Sequence, residues 1–129
     1  MPERSLFREA VEARDLDRLL SAFAEGATLN SPITFQPFEG RAAIRQLLEI
    51  ILQVFEDFRY TDELDSASDV KALIFRARIG TREIEGLDLI RFDEAGTIRD
   101  LTVMVRPRSA VEALREAVAA RLAVARSAS

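Results

Sequence analysis

Apolar residues recur along this chain at two different periods, and the change of period divides it. From Ser5 to Glu25, Leu6, Phe7, Ala10 and Val11, then Leu16, Leu19, Leu20 and Phe23, fall at helical spacing, with a break at Ala13-Arg14-Asp15. Asp15 stands where a side-chain cap would start a second helix, so the spacing predicts two short helices in succession, ending at Gly26. Ala27 to Ser31 is expected to form a short strand stopped by Pro32, and Ile33 to Phe38, which contains Pro37, an irregular strand or loop closed by Gly40. Ala43, Ile44, Leu47, Leu48, Ile51 and Phe55 repeat at i, i+3, i+4 and i+7. This predicts a long, largely buried helix over Arg41 to Phe55, its apolar face widened by Ile50, Leu52 and Val54.

Beyond that helix the period drops to two. Phe58, Tyr60 and Asp62 open a strand, and in the next Lys71, Leu73, Phe75, Ala77 and Ile79 alternate with Ala72, Ile74, Arg76 and Arg78. Glu83 to Phe92 and Thr97 to Arg106 read as a hairpin around Asp93-Glu94-Ala95-Gly96, whose glycine suits a left-handed turn position. Pro107 stops the last strand, Ser109 and Glu112 have the spacing of a capping box, and Val111, Leu114, Val118 and Leu122 define a terminal helix. Helices, a short strand, a long helix, successive hairpin strands and a final helix make an α+β fold with an antiparallel sheet. We expect one domain over residues 1–129, with Ser109–Ala125 as its terminal helix and Arg126–Ser129 as a frayed tail.

Composition narrows the chemistry more than the fold. With 129 residues, 48% of them hydrophobic and 31% charged, the chain can bury a core without a metal or disulfide. The net charge of −4 has its basic residues scattered among acidic ones, which points away from nucleic acid and from anionic membranes. There is no cysteine and no histidine, which excludes thiol nucleophiles, Ser/His/Asp chemistry and nearly every zinc or non-haem iron site. Carboxylates, hydroxyls, Tyr60, Lys71 and arginines remain, so no cofactor and no metal is expected. Met1 to Phe7 lacks the apolar core of a signal peptide and no apolar run is long enough to span a bilayer, so a cytoplasmic protein is expected.

Three stretches carry a family resemblance. They are Ala13-Arg14-Asp15-Leu16-Asp17 through Phe23-Ala24-Glu25-Gly26-Ala27, then Phe38-Glu39-Gly40-Arg41-Ala42-Ala43-Ile44, then Gly86-Leu87-Asp88-Leu89-Ile90-Arg91-Phe92-Asp93-Glu94-Ala95-Gly96-Thr97-Ile98. In this order and spacing they resemble the nuclear transport factor two-like superfamily, in its ketosteroid isomerase and SnoaL-like polyketide cyclase branches. Val103-Met104-Val105-Arg106-Pro107 before an apolar helix is similar to many SnoaL-like proteins. The resemblance implies a cone-shaped, cystatin-like α+β barrel. Its N-terminal helices would pack on a curved antiparallel sheet around an apolar pocket, commonly in a homodimer.

Asp88 is the candidate catalytic residue. It stands among apolar residues in a strand, where burial would raise its pKa, and it matches the position at which ketosteroid isomerases keep a protonated aspartic acid. The alternative is a structural carboxyl paired with a polar neighbour or water. By the same resemblance Ser31 stands in place of the general-base aspartate and Phe7 in place of the hydrogen-bonding tyrosine. Serine cannot act as a carboxylate base, and phenylalanine donates no hydrogen bond, so the familial steroid isomerisation is not expected. Gly86 occupies the place of an arginine used by the epoxide hydrolase branch.

Ser31, Phe23, Phe35, Phe38, Leu48, Phe55, Phe75, Leu101 and Val103 are the candidate ligand-binding residues. Tyr60 is expected at an interface or rim with a wet hydroxyl, the alternative being a catalytic donor, and Arg76, Arg78 and Arg91 as outward charges. The face carrying Ile74, Leu87 and Leu89 suits either a dimer contact or a cover from the terminal helix. Two functions follow: a cofactor-independent isomerase, cyclase or hydratase acting on a small hydrophobic carbonyl compound, or a non-catalytic ligand-binding or dimeric interaction domain.

Overall fold

The computed structural model describes residues 2–128, with side chains from 5 to 123. Helices α1 (Pro2–Ala13) and α2 (Leu16–Ser21) come first, then strands β1 (Phe23–Asn30) and β2 (Phe38–Glu39) and the long helix α3 (Arg41–Val54). Strands β3 (Glu56–Asp65), β4 (Val70–Ile79), β5 (Arg82–Phe92) and β6 (Ile98–Arg106) follow in succession before α4 (Arg108–Ala128). The strands form one curved six-stranded sheet in the order β2-β1-β6-β5-β4-β3, with the helices packed against it.

Local chemistry explains most of the element ends. The Asp15 side chain accepts from the Arg18 amide at 3.1 Å and starts α2 as a cap. Gly40, at φ 86°, gives the chain the left-handed turn that leads into α3, a conformation that strains residues with a Cβ. In the β5–β6 turn Gly96 is likewise left-handed, and the Asp93 carboxylate accepts from the amides of Ala95 and Thr97 at 3.0 Å each.

Several expectations need correction. The second helix stops at Ser21, and Phe23 to Gly26, expected in its tail, belong to β1. The Ala22 carbonyl accepts from the Ile98 amide at 2.8 Å, and Phe23, fully buried, is paired with Ile98. Docking on the sheet therefore overrides the helical spacing. The sheet is not wholly antiparallel, because β1 runs parallel to β6. These two strands are far apart in sequence, so no hairpin dictates their direction. Nor is the sheet a closed barrel: β2 and β3 are its two edges. The terminal helix begins at Arg108, where the Pro107 carbonyl accepts from Ala110 and Val111, so Ser109 lies inside the first turn instead of capping it. Its backbone continues past Ala125 to Ala128, and Ser129 lies outside the described residues.

The alternation in β4, β5 and β6 sorts the two faces. Leu73, Phe75, Ala77, Ile84, Ile90 and Leu101 are buried on the concave side beneath the helices, each contributing on the order of 1.5–3 kcal/mol by leaving water where the residue is large. Leu114 and Val118 of α4 are buried on that same side, so the terminal helix does not cover the convex face. Ile74, Leu87 and Leu89 remain half-buried there, and Met104 is 50% exposed.

Candidate functional site

Beneath the helices the concave face of the sheet holds a cavity of about 400 Å³. Phe7 and Val11 of α1, Leu47, Leu48 and Ile51 of α3, and Leu114 and Val118 of α4 wall it on the helical side. Phe75, Asp88, Leu101 and Val103 form its sheet side, with Phe55, Phe58 and Tyr60 at the β3 edge. The rings of Phe58 and Phe75 stack with centroids 4.9 Å apart, and Tyr60 meets Phe58 edge-on at 5.0 Å.

Asp88 enters this apolar wall because β5 alternates. Leu87 and Leu89 point to the convex face, while Asp88, registered between Leu73 of β4 and Val103 of β6, points inward. It is 6% exposed and has no side-chain hydrogen-bond partner among the described residues. Burial alone pushes its carboxyl up to about 7, so near neutrality a large share carries a proton and can donate it to an acceptor.

The second polar group is the Tyr60 hydroxyl. Its oxygen is buried and also lacks a partner among the described residues, which corrects the expectation of a wet rim hydroxyl. Burial raises its pKa far above the ordinary phenol range, and the nearby Asp88 carboxylate raises it further. A chain of charges fixes the ring from outside. The Arg8 guanidinium lies 5.2 Å from the ring centroid and donates to Glu63 at 2.8 Å and to Glu12 at 3.4 Å. Lys71, 3% exposed, donates to the same Glu63 at 3.0 Å, and these two hydrogen bonds hold the Glu63 carboxyl below its usual range.

Of the residues singled out from the sequence, Asp88, Ser31, Leu48, Phe55, Phe75, Leu101 and Val103 come together at the cavity. Ser31 sits where β1 ends, its Oγ accepting from the Ile33 amide at 3.4 Å, and Phe7 faces the same space. Three phenylalanines do not join them. Phe23 is sealed in the core edge-on to Phe7, Phe38 packs on the core from β2, and Phe35 is fully exposed on the β1–β2 loop. The local sequence marks all three as apolar but does not give their distance from the concave face. Leu114 and Val118 were visible as core positions of the last helix, but not as cavity wall.

The fold and cavity define an α+β cone of the nuclear transport factor two-like kind, in its SnoaL and ketosteroid isomerase branch. The SnoaL-like domain model matches residues 4–101, and the chain belongs to that family. A crystal structure of a steroid delta-isomerase from Pseudomonas aeruginosa is 38% identical, with a TM-score of 0.93 over 98% of this chain and 93% of that one. An uncharacterized bacterial protein with a cystatin-like fold from Silicibacter pomeroyi is 32% identical, with a TM-score of 0.87 over 93% of this chain and 84% of that one. An NTF2-like protein of unknown function from Burkholderia xenovorans shares the fold at 13% identity, with a TM-score of 0.70 over 81% of this chain and 80% of that one. Among the described residues no helix is long and apolar enough to cross a membrane.

Proposed function

We propose that the cavity binds a small hydrophobic carbonyl compound and holds its oxygen with the Asp88 carboxylic acid and the Tyr60 hydroxyl. The observation that carries this reading is a pair of buried groups, both without partners among the described residues, on one apolar cavity. Each unmet group costs on the order of 1–3 kcal/mol, which an acceptor on the ligand would recover. Two donors aimed at a carbonyl also stabilise the negative charge that develops on its oxygen when a neighbouring C–H bond is broken; with serine at position 31 the proton leaves to water acting as base, the C–H electron pair enters the enolate, and a proton from water returns at the new carbon. Asp88 is then the acid, Ser31 an orienting hydroxyl, and Leu48, Phe55, Phe75, Leu101 and Val103 position the body of the substrate. The similarity to a steroid delta-isomerase supports this class of chemistry.

The test compares 2-acetylnaphthalene with 2-ethylnaphthalene, which differ in the carbonyl alone. The ketone is expected to bind at least about tenfold tighter, as two hydrogen bonds of about 1 kcal/mol net each imply, with Asp88→Leu and Tyr60→Phe each reducing the difference. Equal affinities in the native protein would refute the reading. A second reading, binding without turnover, is favoured by Ser31 and Phe7 standing where the resemblance puts a base and a donor. Conversion of a β,γ-unsaturated aryl ketone to its conjugated isomer, followed by absorbance, separates the two. An enzyme loses that conversion in both Asp88→Asn and Asp88→Leu, whereas a binding domain never has it.

We also propose that the convex face pairs with a second copy of the chain. Ile74, Leu87, Leu89 and Met104 form an apolar centre there, beside Arg76 and Arg106, which pair with Glu85 at 3.5 and 3.0 Å. Charges of both signs around an apolar centre suit a self-complementary two-fold contact.

A further inference from the structure

Strand β3 carries the Tyr60 donor, and it carries an extra residue beside it. Tyr60 is registered opposite Phe75 and Asp62 opposite Ile74, so two steps along β3 match one along β4. The surplus residue is Thr61, whose Oγ1 donates to the Ile74 carbonyl at 3.3 Å. In an unbroken strand residues three apart point to opposite faces. Past the bulge that order is shifted by one: Glu63, opposite Leu73, and Asp65, opposite Lys71, lie on the concave side with Tyr60. The bulge thus brings a carboxylate to the face that holds the tyrosine.

That carboxylate joins two cations, one to each oxygen. Glu63 Oε1 accepts from Arg8 at 2.8 Å and Oε2 accepts from Lys71 at 3.0 Å. Lys71, the chain's one lysine, is 3% exposed and lies 3.9 Å from Asp65 as well. On α1, Glu12 stands one turn on from Arg8 and accepts from it at 3.4 Å. The guanidinium is therefore held by both α1 and β3, with its centre 5.2 Å from the centroid of the Tyr60 ring. Hydrogen bonds weaken steeply off their axis, so a contact that holds the ring decides how well its hydroxyl meets a ligand. We infer that Arg8 and Glu63 are positioning residues for the Tyr60 hydroxyl, with Lys71 holding Glu63 in place behind them. None of these three is among the residues that wall the cavity, so they act through Tyr60 and not on the ligand. This rests on the reading of Tyr60 as a carbonyl donor and adds the residues that aim it.

The test is a cycle on the preference for 2-acetylnaphthalene over 2-ethylnaphthalene. Arg8→Gln is expected to lower that preference about two- to fivefold, the strength of a cation on a ring at this exposure, and Glu63→Gln to lower it as well. In a Tyr60→Phe background, where there is no hydroxyl to aim, Arg8→Gln is expected to leave the preference unchanged. Arg8→Lys keeps the charge and is expected to recover part of the loss. A contact that only stabilised the fold would weaken both ligands alike. A native preference in Arg8→Gln, or an equal fall in the Tyr60→Phe background, would overturn the inference. Near-ultraviolet circular dichroism gives a second readout, because Tyr60 is the one tyrosine in a chain without tryptophan. Its band is expected to shrink in Arg8→Gln and Glu63→Gln while the far-ultraviolet signal stays native; an unchanged tyrosine band in both would overturn the inference. This readout needs no ligand, so it separates a failure of ring positioning from a failure of the carbonyl reading, which shows instead as equal binding of ketone and hydrocarbon by the native protein.

Discussion

Asp88 holds its proton to a pH of about 7 in the folded chain, against an ordinary value of 3.8, and the cause is burial. The consequence for stability has a definite sign. Between those two pH values the folded protein keeps a proton that the unfolded chain has released, so this residue's contribution is full below about pH 4 and is lost as pH rises through about 7. Asp88→Asn removes the effect, and its stability relative to the native protein should climb across that window by up to about 4 kcal/mol, measured by urea unfolding at a series of pH values. An Asp88→Asn variant that tracks the native protein throughout would contradict the buried, unpartnered carboxyl. Tyr60 gives an independent readout, being the one tyrosine in a chain without tryptophan. Its tyrosinate absorbance should be absent at pH values where an ordinary phenol of pKa about 10 has ionised, and Asp88→Asn should bring the transition down. The inward aim of Asp88 was legible in the sequence because strand alternation alone decides it. That of Tyr60 was not: an edge strand can leave such a residue wet, and what buries the hydroxyl is the packing around it, with Arg8 of α1 over the ring.

The elements show where local pattern ends. The long helix, the four-strand meander and the turn at Gly96 follow from period and turn chemistry, since each is a local decision. Residues 23–26 do not, because the pairing that makes them strand comes from β6, some seventy positions later. The β4–β5 pair contains another non-local fit. Phe75 is registered opposite Gly86, and a Cβ added at Gly86 would lie 2.0 Å from the tip of that ring. Gly86 is thus the space in which the Phe75 ring rests, and it shapes the cavity from one strand away. Gly86→Ala should cost about 1–3 kcal/mol in urea unfolding and weaken 2-acetylnaphthalene by driving the ring from its place. A variant with native stability and affinity would mean that the glycine does not set the ring's position.

At the scale of the molecule, an open curved sheet and its helices leave one face committed to the cavity and the other half-bare. If the convex face pairs two copies, sedimentation at micromolar concentration should give a dimer, and Leu87→Arg should give a folded monomer, since a charge would enter an apolar contact. A monomeric native protein would leave that face without this role. The cone itself was legible from the three family stretches together with the alternation of β4 to β6. The chemistry of the cavity was only half legible, because the burial of the second donor arises where α1 and β3 converge in space. The proposed site stands on Asp88 and Tyr60 both donating to one ligand oxygen. The most direct measurement is the infrared carbonyl stretch of isotope-labelled 2-acetylnaphthalene bound to the protein. Two donors should shift it below its frequency in water, with Asp88→Leu and Tyr60→Phe each restoring part of the shift; a frequency equal to that in a hydrocarbon solvent would mean that neither group donates to the oxygen.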